Sequence, residues 1–299
     1  MAEAEAYCSL RFSSQRLVHQ RGTVSPGSCG KMCIRDRHSS FSADSDTDME
    51  NMIKNAISRG LEGVCFTEHL DPDYPPTPDQ QVFHLEVEAY ADRLAFLKEK
   101  YKDSITVNFG IEYGLQPHLK KHFSEQLSRF PFDFVIGSSH VVHGQDPYYG
   151  EYFKNREEAR GYREYFESIL ENLDVFSEMD VYGHIDYIVR YGPNKNLYYS
   201  YERYQDILDE ILRTLVRKNI GIELNTGGYH YGLGEPNPCT AVIRRYRQLG
   251  GEIITVGADA HSPEKIAFAF DKATDVLIDC GFRYYTIFKN RTPEFIPLK

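Results

Sequence analysis

The sequence is short of positive charge. Its 299 residues include 34 lysines and arginines against 44 acidic residues, a formal net charge of −10. Gripping a phosphate backbone needs a basic face, so bulk nucleic-acid binding is not expected. A small anion remains admissible, because bound metals or a few arginines turn a local field positive. No apolar run reaches the ~18 residues of a membrane span, and no apolar segment follows a basic stretch near the N-terminus. Neither a membrane partner nor an export signal is read. Tryptophan is absent altogether.

Paired cysteines are also lacking. None of the six (Cys8, Cys29, Cys33, Cys65, Cys239, Cys280) stands in a CxxC pattern, and Cys29 with Cys33 makes only a faint metal-knuckle signal. Cys65 falls in an apolar strand pattern and reads as a small buried hydrophobe. This usage fits a reducing compartment, the cytoplasm. No glycine-rich dinucleotide fingerprint follows the first strand, which weakens a Rossmann reading. No lysine stands at any strand end, which counts against the lysine-bridged metal chemistry of amidohydrolase-like barrels.

What is present is a long alternation of strand-like and helix-like segments. A length of 299 residues allows two ordinary domains or one α/β barrel of ~250 residues. Residues 1–31 hold no sustained period and are rich in Ser, Gly and Arg, so they read as a disordered or extraneous leader. Residues 32–299 form the expected folded domain. Strands are read at "MCI", "GVCFTEH", "ITVNFGIEYG", "FDFVIGSSH", "MDVYGHID", "IGIELNTGG" and "IITVGADAH", with a final "RYYTIF" as an edge or closing strand. Helices are expected after Thr47, capped by Thr47 with Glu50, and over 85–100, 119–127, 156–172, 201–218, 239–249 and 263–280. Seven such units without hairpin turns predict a parallel sheet with both faces covered. Their order suits a closed barrel or a doubly wound sheet.

The strands share one kind of ending. The first runs into Asp36 and His38, with Asp44 six residues on; the second ends in Glu68 and His69. The third reaches Glu112, the fourth His140, the fifth His184, the sixth Asn225, and the seventh Asp259 and His261. In a barrel, that C-terminal rim is where active sites sit. Imidazoles mixed with carboxylates are ligands for Zn²⁺, Mn²⁺ or Fe²⁺. The ligands exceed what one ion needs, so two or three divalent ions are expected, with Glu112 or Asp259 bridging. Bridged ions clamp the attacking and leaving oxygens of a phosphoryl displacement and lower a bound water's pKa to ~7. His84, His118 and His122 read as solvated, whereas His143 and His230, just beyond strand ends, are candidate proton donors.

Taken together, "HSSFSADSDT", "CFTEHLD", "GIEYG", "FDFVIGSSHVVHG", "GHIDYIVRYG", "GIELNTGG" and "VGADAH" resemble the PHP (polymerase and histidinol phosphatase) superfamily, in its histidinol-phosphatase branch. The resemblance runs from about Met32 to the C-terminus. It implies a distorted (β/α)7 barrel with a trinuclear metal site. It implies one ion on Asp36, His38, Glu112 and Asp259, a second on Glu112, His140 and His184, and a third on Asp44, His69 and His261. Glu68 would stand beside a ligand rather than act as one. Arg190 would bind phosphate, its planar fork suiting two phosphate oxygens. The catalytic residues implied are Asp259 and Arg190, with His143 or His230 as acid; Asn225 and His230 would help hold the substrate. The expected reaction is hydrolysis of L-histidinol phosphate, a small phosphate ester, in histidine biosynthesis. Two departures stand out: Asp36 occupies a position where the family has His, and His230 occupies one where relatives often have Arg. They leave two alternatives open, a different phosphate ester as substrate or a metal-binding relative with impaired activity.

Overall fold

The structure, a computed structural model, describes residues 33–78 and 83–298, with side chains in the first strand only from Arg37. The leader 1–31 and the side chains of Cys29 and Cys33 lie outside the described residues. Seven parallel strands close a barrel in chain order: β1 Cys33–Arg37, β2 Gly63–Leu70, β3 Thr106–Gly114, β4 Phe134–Ser138, β5 Val181–Tyr182, β6 Gly221–Asn225 and β7 Ile254–Ala260. β1 pairs with both β2 and β7, so closure removes the edges that a doubly wound sheet would leave. The strands are buried on both faces, β2 along its whole length, which is why they read as near-continuous apolar runs.

Helices fill the connections: α1 Met49–Ser58, α2 Val87–Tyr101, α3 Lys120–Arg129, α4 Glu158–Val175, α5 Gln205–Arg217, the single turn α6 Gly227–His230, α7 Thr240–Gln248 and α8 Phe270–Asp279. Each long helix lays an apolar stripe on the barrel. In α5 that stripe is Ile207, Leu208, Ile211, Leu212 and Leu215, the three-to-four spacing of one helical face.

The barrel is uneven. β2 and β3 pair over eight successive residues, whereas β5 offers only Val181 and Tyr182. Beyond β5 the chain runs through short 3-10 turns at 187–190, 195–197 and 202–204 before α5. Between β1 and β7 the register moves from Arg35↔Gly257 to Arg37↔Ala260, so β7 carries one extra residue, a bulge.

Three sequence expectations are corrected. α1 is capped not by Thr47 but by Asp48, whose Oδ1 accepts from the Glu50 N–H at 2.9 Å. Thr47 Oγ1 donates instead to the His261 carbonyl at 3.2 Å, which takes it out of competition. The helix expected from Pro263 begins only at Phe270, because Ala267 and Ala269 adopt positive φ (55° and 53°). There Arg59 binds the carbonyls of Ile266 and Glu264 at 2.6 and 2.9 Å, fixing the irregular path. Finally, "RYYTIF" joins neither barrel edge. As β8 Tyr284–Lys289 it pairs antiparallel with β9 Thr292–Pro297, since β1 and β7 already bond each other. This hairpin packs against the N-terminal ends of the strands, where Phe288 stacks on Phe134 at 5.2 Å.

Candidate metal centre

The opposite end of the barrel gathers the ionisable strand endings. Glu112, the seventh residue of β3, lies at the middle and is 1% exposed. Its Oε1 stands 3.2 Å from His140 Nε2 and 3.2 Å from His184 Nε2. Its Oε2 stands 3.5 Å from His38 Nε2 and 3.5 Å from His69 Nδ1. A second carboxylate, Asp44, faces His261 Nε2 at 2.9 Å and His69 Nε2 at 3.5 Å. The imidazoles of His38 and His69 stack with centroids 4.0 Å apart, and those of His38 and His261 at 4.4 Å.

Asp259 reaches the cluster through the bulge of β7. Its φ is 50°, a left-handed backbone that a non-glycine residue adopts only when its surroundings impose it. The extra residue re-aims the side chain, a common use of bulges beside functional sites. Oδ1 then lies 3.7 Å from His38 Nε2 and 3.5 Å from His261 Nδ1. The same carboxylate accepts from Arg190 Nη1 through Oδ2 at 2.6 Å.

Burial and charge pull these groups in opposite directions. Burial alone would raise Glu112, but the imidazoles of His69, His140 and His184 hold it well below the usual carboxylate range. Asp44 is likewise held well down by His69 and His261 against its burial. Burial opposes protonation of His69, yet Asp44 and Glu112 raise it to about 10, and Asp44 raises His261 to about 9. His38 goes the other way, lowered to about 4 by burial and then by the cations His69 and His261. Divalent cations compete for these same nitrogens, since a ligating imidazole must be unprotonated.

The residues fit such ions. Ligand atoms ~2.0–2.1 Å from one tetrahedral ion stand roughly 3.3 Å apart, close to the 3.2 Å from Glu112 to His140 and to His184. Among the described residues, three groups bring one ligand atom from each member within 4.8 Å of the others: Glu112–His140–His184, His38–His69–His261 and His69–Asp71–His140. Among the described residues Glu112 Oε2 and His69 Nδ1 are buried and find no hydrogen-bond partner, although burying such atoms without a partner is costly.

Arg190 is buried beside this cluster. Its Nε donates to Asn237 Oδ1 at 2.8 Å, and Asn237 Nδ2 donates in turn to Asp186 at 2.6 Å. The guanidinium also faces the rings of Tyr231 and Tyr187, 4.7 and 5.4 Å from their centroids. Together these contacts fix the plane of the fork. Arg190, Asp259, His69, His140, His184 and His261 line a cleft of about 440 Å³, a volume suited to a small ligand.

Other sequence candidates fall elsewhere. Asn225 is wholly buried: its Oδ1 accepts from the Gly227 N–H at 2.8 Å, and its backbone pairs both ways with Asn237. It braces the segment that holds Arg190 and does not line the cleft. His143 sits at the tip of the Val142–Gln145 turn with φ 47°, 60% exposed, and meets Glu171 at 3.0 Å. The turn carries it away from the cluster. His230 is exposed on α6 beside Phe268, and its neighbour Tyr231, not His230, lines the cleft. The backbone of Asp36 belongs to β1, but its side chain lies outside the described residues. His122, expected to be solvated, is half-buried.

Several groups escaped the sequence reading. Asp71, two residues after His69, accepts from His140 Nδ1 at 2.8 Å. Ser42 joins Glu68 to His38. The same cleft is also lined by Tyr74, Tyr148, Tyr149, Tyr187 and Tyr191 with Asp146. The "HLD" ending offered a signal for Asp71; the tyrosines arrive on loops with no period to betray them.

Fold and site together define a barrel hydrolase built for divalent metals, with a buried guanidinium beside them. The PHP domain family model matches residues 37–227, and the chain belongs to that family. It is 33% identical over 254 residues to the histidinol-phosphatase of Lactococcus lactis subsp. lactis, covering 84% of this chain and 92% of the relative. A probable histidinol-phosphatase of Clostridium acetobutylicum is 29% identical, with 82% and 92% covered. The crystal structure of the Lactococcus lactis histidinol phosphate phosphatase, complexed with zinc, L-histidinol and phosphate, superposes with a TM-score of 0.81 at 30% identity, covering 88% of this chain and 98% of that one.

Proposed function

We propose that this chain is a histidinol-phosphatase, a metal-dependent phosphomonoesterase that converts L-histidinol phosphate and water to L-histidinol and phosphate in histidine biosynthesis. The observation that carries this reading is the convergence of four imidazoles on the two oxygens of Glu112, beside a buried arginine. The zinc, L-histidinol and phosphate bound to the Lactococcus lactis relative support it. When bound, two or three divalent ions (Zn, Mn or Fe) supply positive charge against the transferring phosphoryl group and a water acidic enough to react near neutral pH.

The chain's own residues do the holding. Glu112, His38, Asp259 and Asp36 would hold one ion, Glu112 would share a second with His140 and His184, and Asp44, His69 and His261 would hold a third. Arg190 has Nε on Asn237 and Nη1 on Asp259, and among the described residues its buried Nη2 makes no hydrogen bond; its guanidinium, which lines the cleft, is the cation we assign to the phosphate. The cleft's tyrosines and Asp146, bonded by the Tyr74 hydroxyl and the Tyr148 N–H, suit the organic half of the substrate. An ammonium or imidazolium is attracted to aromatic faces and to a carboxylate. Asp259 and Arg190 are therefore the catalytic pair we assign.

Among the described residues no helix is long and apolar enough to cross a membrane. We place the enzyme in the cytoplasm, as the unit 32–299, acting on a small phosphate ester rather than on nucleic acid or a membrane. The test is phosphate release from L-histidinol phosphate by the purified chain, with Zn²⁺ and Mn²⁺ supplied separately. Rapid release is expected with at least one of them. A folded, metal-loaded chain that releases none contradicts the assignment. Asp36 is assigned as a working ligand, so Asp36→His should raise neither metal content nor rate; a rise in both would mark Asp36 as a defect.

A further inference from the structure

We propose that Ser42 and Asp71, neither of them a ligand, hold the imidazoles of His38 and His140 with the proton on Nδ1, so that each presents a bare Nε2 to the metal cluster. The inference rests on the reading above that the cluster holds metal ions. A neutral imidazole binds a metal through one nitrogen, and the hydrogen bond made by the other decides which.

For His38 the proton count settles the orientation. Glu68 is fully buried and accepts from the Ser39 N–H at 2.9 Å and from Ser39 Oγ at 2.6 Å. Ser42 Oγ lies 2.6 Å from Glu68 Oε2, the oxygen that Ser39 Oγ does not use, and a carboxylate only accepts, so the serine's one proton goes there. The same Ser42 oxygen accepts from the His69 backbone N–H at 3.0 Å. What it offers His38 Nδ1, 3.2 Å away, is therefore a lone pair. Nδ1 must donate, and Nε2, 3.5 Å from Glu112 Oε2 and 3.7 Å from Asp259 Oδ1, is the ligating atom.

For His140 the partner is direct. Asp71 Oδ1 lies 2.8 Å from Nδ1, while Nε2 faces Glu112 Oε1 at 3.2 Å. The fold makes room for this carboxylate: a Cβ on Gly114, at the end of β3, would stand 1.8 Å from Asp71 Oδ1. Asp71 also falls within ligand range of His69 and His140. The His140 nitrogen beside Asp71 is Nδ1, and an ion held between the two there would take the nitrogen whose proton Asp71 accepts. Positioning and ligation by Asp71 thus make opposite demands on one ring.

The experiment measures bound zinc per full-length chain, and zinc affinity by chelator competition, in the parent and in Ser42→Ala, Asp71→Ala and Asp71→Asn. Ser42→Ala and Asp71→Ala should each weaken zinc by about 10–100-fold. Asp71→Asn should recover most of the affinity, because its amide oxygen still accepts the Nδ1 proton. Folded Ser42→Ala or Asp71→Ala protein with parental affinity overturns the proposal. So does Asp71→Asn as weak as Asp71→Ala, which would make Asp71 a ligand. Long-range ¹H–¹⁵N spectra of the zinc-loaded parent provide a readout independent of variant folding. His38 and His140 should each show the proton on Nδ1 and the metal-shifted signal at Nε2; the reverse assignment at either ring overturns it. A parent chain that binds no zinc overturns the metal reading itself, and is recognised because no substitution was made.

Discussion

The two mouths of the barrel are built from similar strands and treat charge in opposite ways. At the N-terminal mouth, Phe288 of the hairpin joins Cys65, Phe134, Ile136, Val181 and Ile253 in one apolar cluster. The charges around it are answered within the chain. Arg291 pairs with Asp180 at 2.9 Å, and Asp133 accepts from the N–H groups of Phe109 and Asn290 at 2.9 and 3.1 Å. At the C-terminal mouth, carboxylates and imidazoles crowd within 4 Å of one another, and among the described residues buried atoms such as Glu112 Oε2 find no hydrogen-bond partner. One mouth is finished by the chain itself. The other is arranged for something the chain does not supply, which is the mark of a binding site.

That contrast can be broken at either end. The largest effect is expected from Glu112→Gln, which keeps the shape but removes the bridging charge. Phosphate release should fall by about 10³-fold or more, as expected when several kcal/mol of charge stabilisation are lost, together with bound metal, while the circular dichroism spectrum stays parental. Phe288→Ala attacks the other mouth. It should cost about 3–5 kcal/mol of stability in denaturant melts and leave kcat and metal content alone. A rate loss without a stability loss would mean that the ends are not separable.

Arg190→Lys comes next. Lysine supplies a point charge without the fork, so a drop of about 10²-fold in kcat/KM is expected, in the range for losing one preorganised donor, with zinc content retained. The smallest effect is a pH slope. His69 and His261 are raised from 6.5 to about 10 and 9 in the metal-free chain, so both are protonated at neutral pH. Their ion pairs stabilise the metal-free fold fully below pH 6.5, and that contribution is lost as pH rises through about 9 to 10. Metal must displace those protons, so affinity should climb by about tenfold per pH unit for each proton released. Calorimetry in buffers of different ionisation enthalpy counts them; no proton release would contradict the pairing with Asp44.

Much of the C-terminal mouth was legible because two simple signals coincide there. An apolar run marks the strand, and the ionisable residue that ends it marks the rim; His69, Glu112, His140, His184 and Asp259 each follow that rule. What the sequence hid depends on tertiary choice. Thr47 and Asp48 can both cap a helix, and only the His261 carbonyl decides between them. His143 sits three residues past His140, yet the left-handed turn sends it outward. Asn225 ends its strand like the others but is bound by Asn237 and Gly227, and so serves as a brace. "RYYTIF" looks like one more strand, and nothing in its pattern says that the barrel has already closed.

The most direct test of the central claim is anomalous diffraction at the zinc edge from crystals of the chain grown with Zn²⁺ and phosphate. Two or three peaks are expected at the C-terminal mouth, one of them flanked by Glu112, His140 and His184, with phosphate against Arg190. Zinc found only at surface sites, with Glu112 still surrounded by its imidazoles alone, would contradict it.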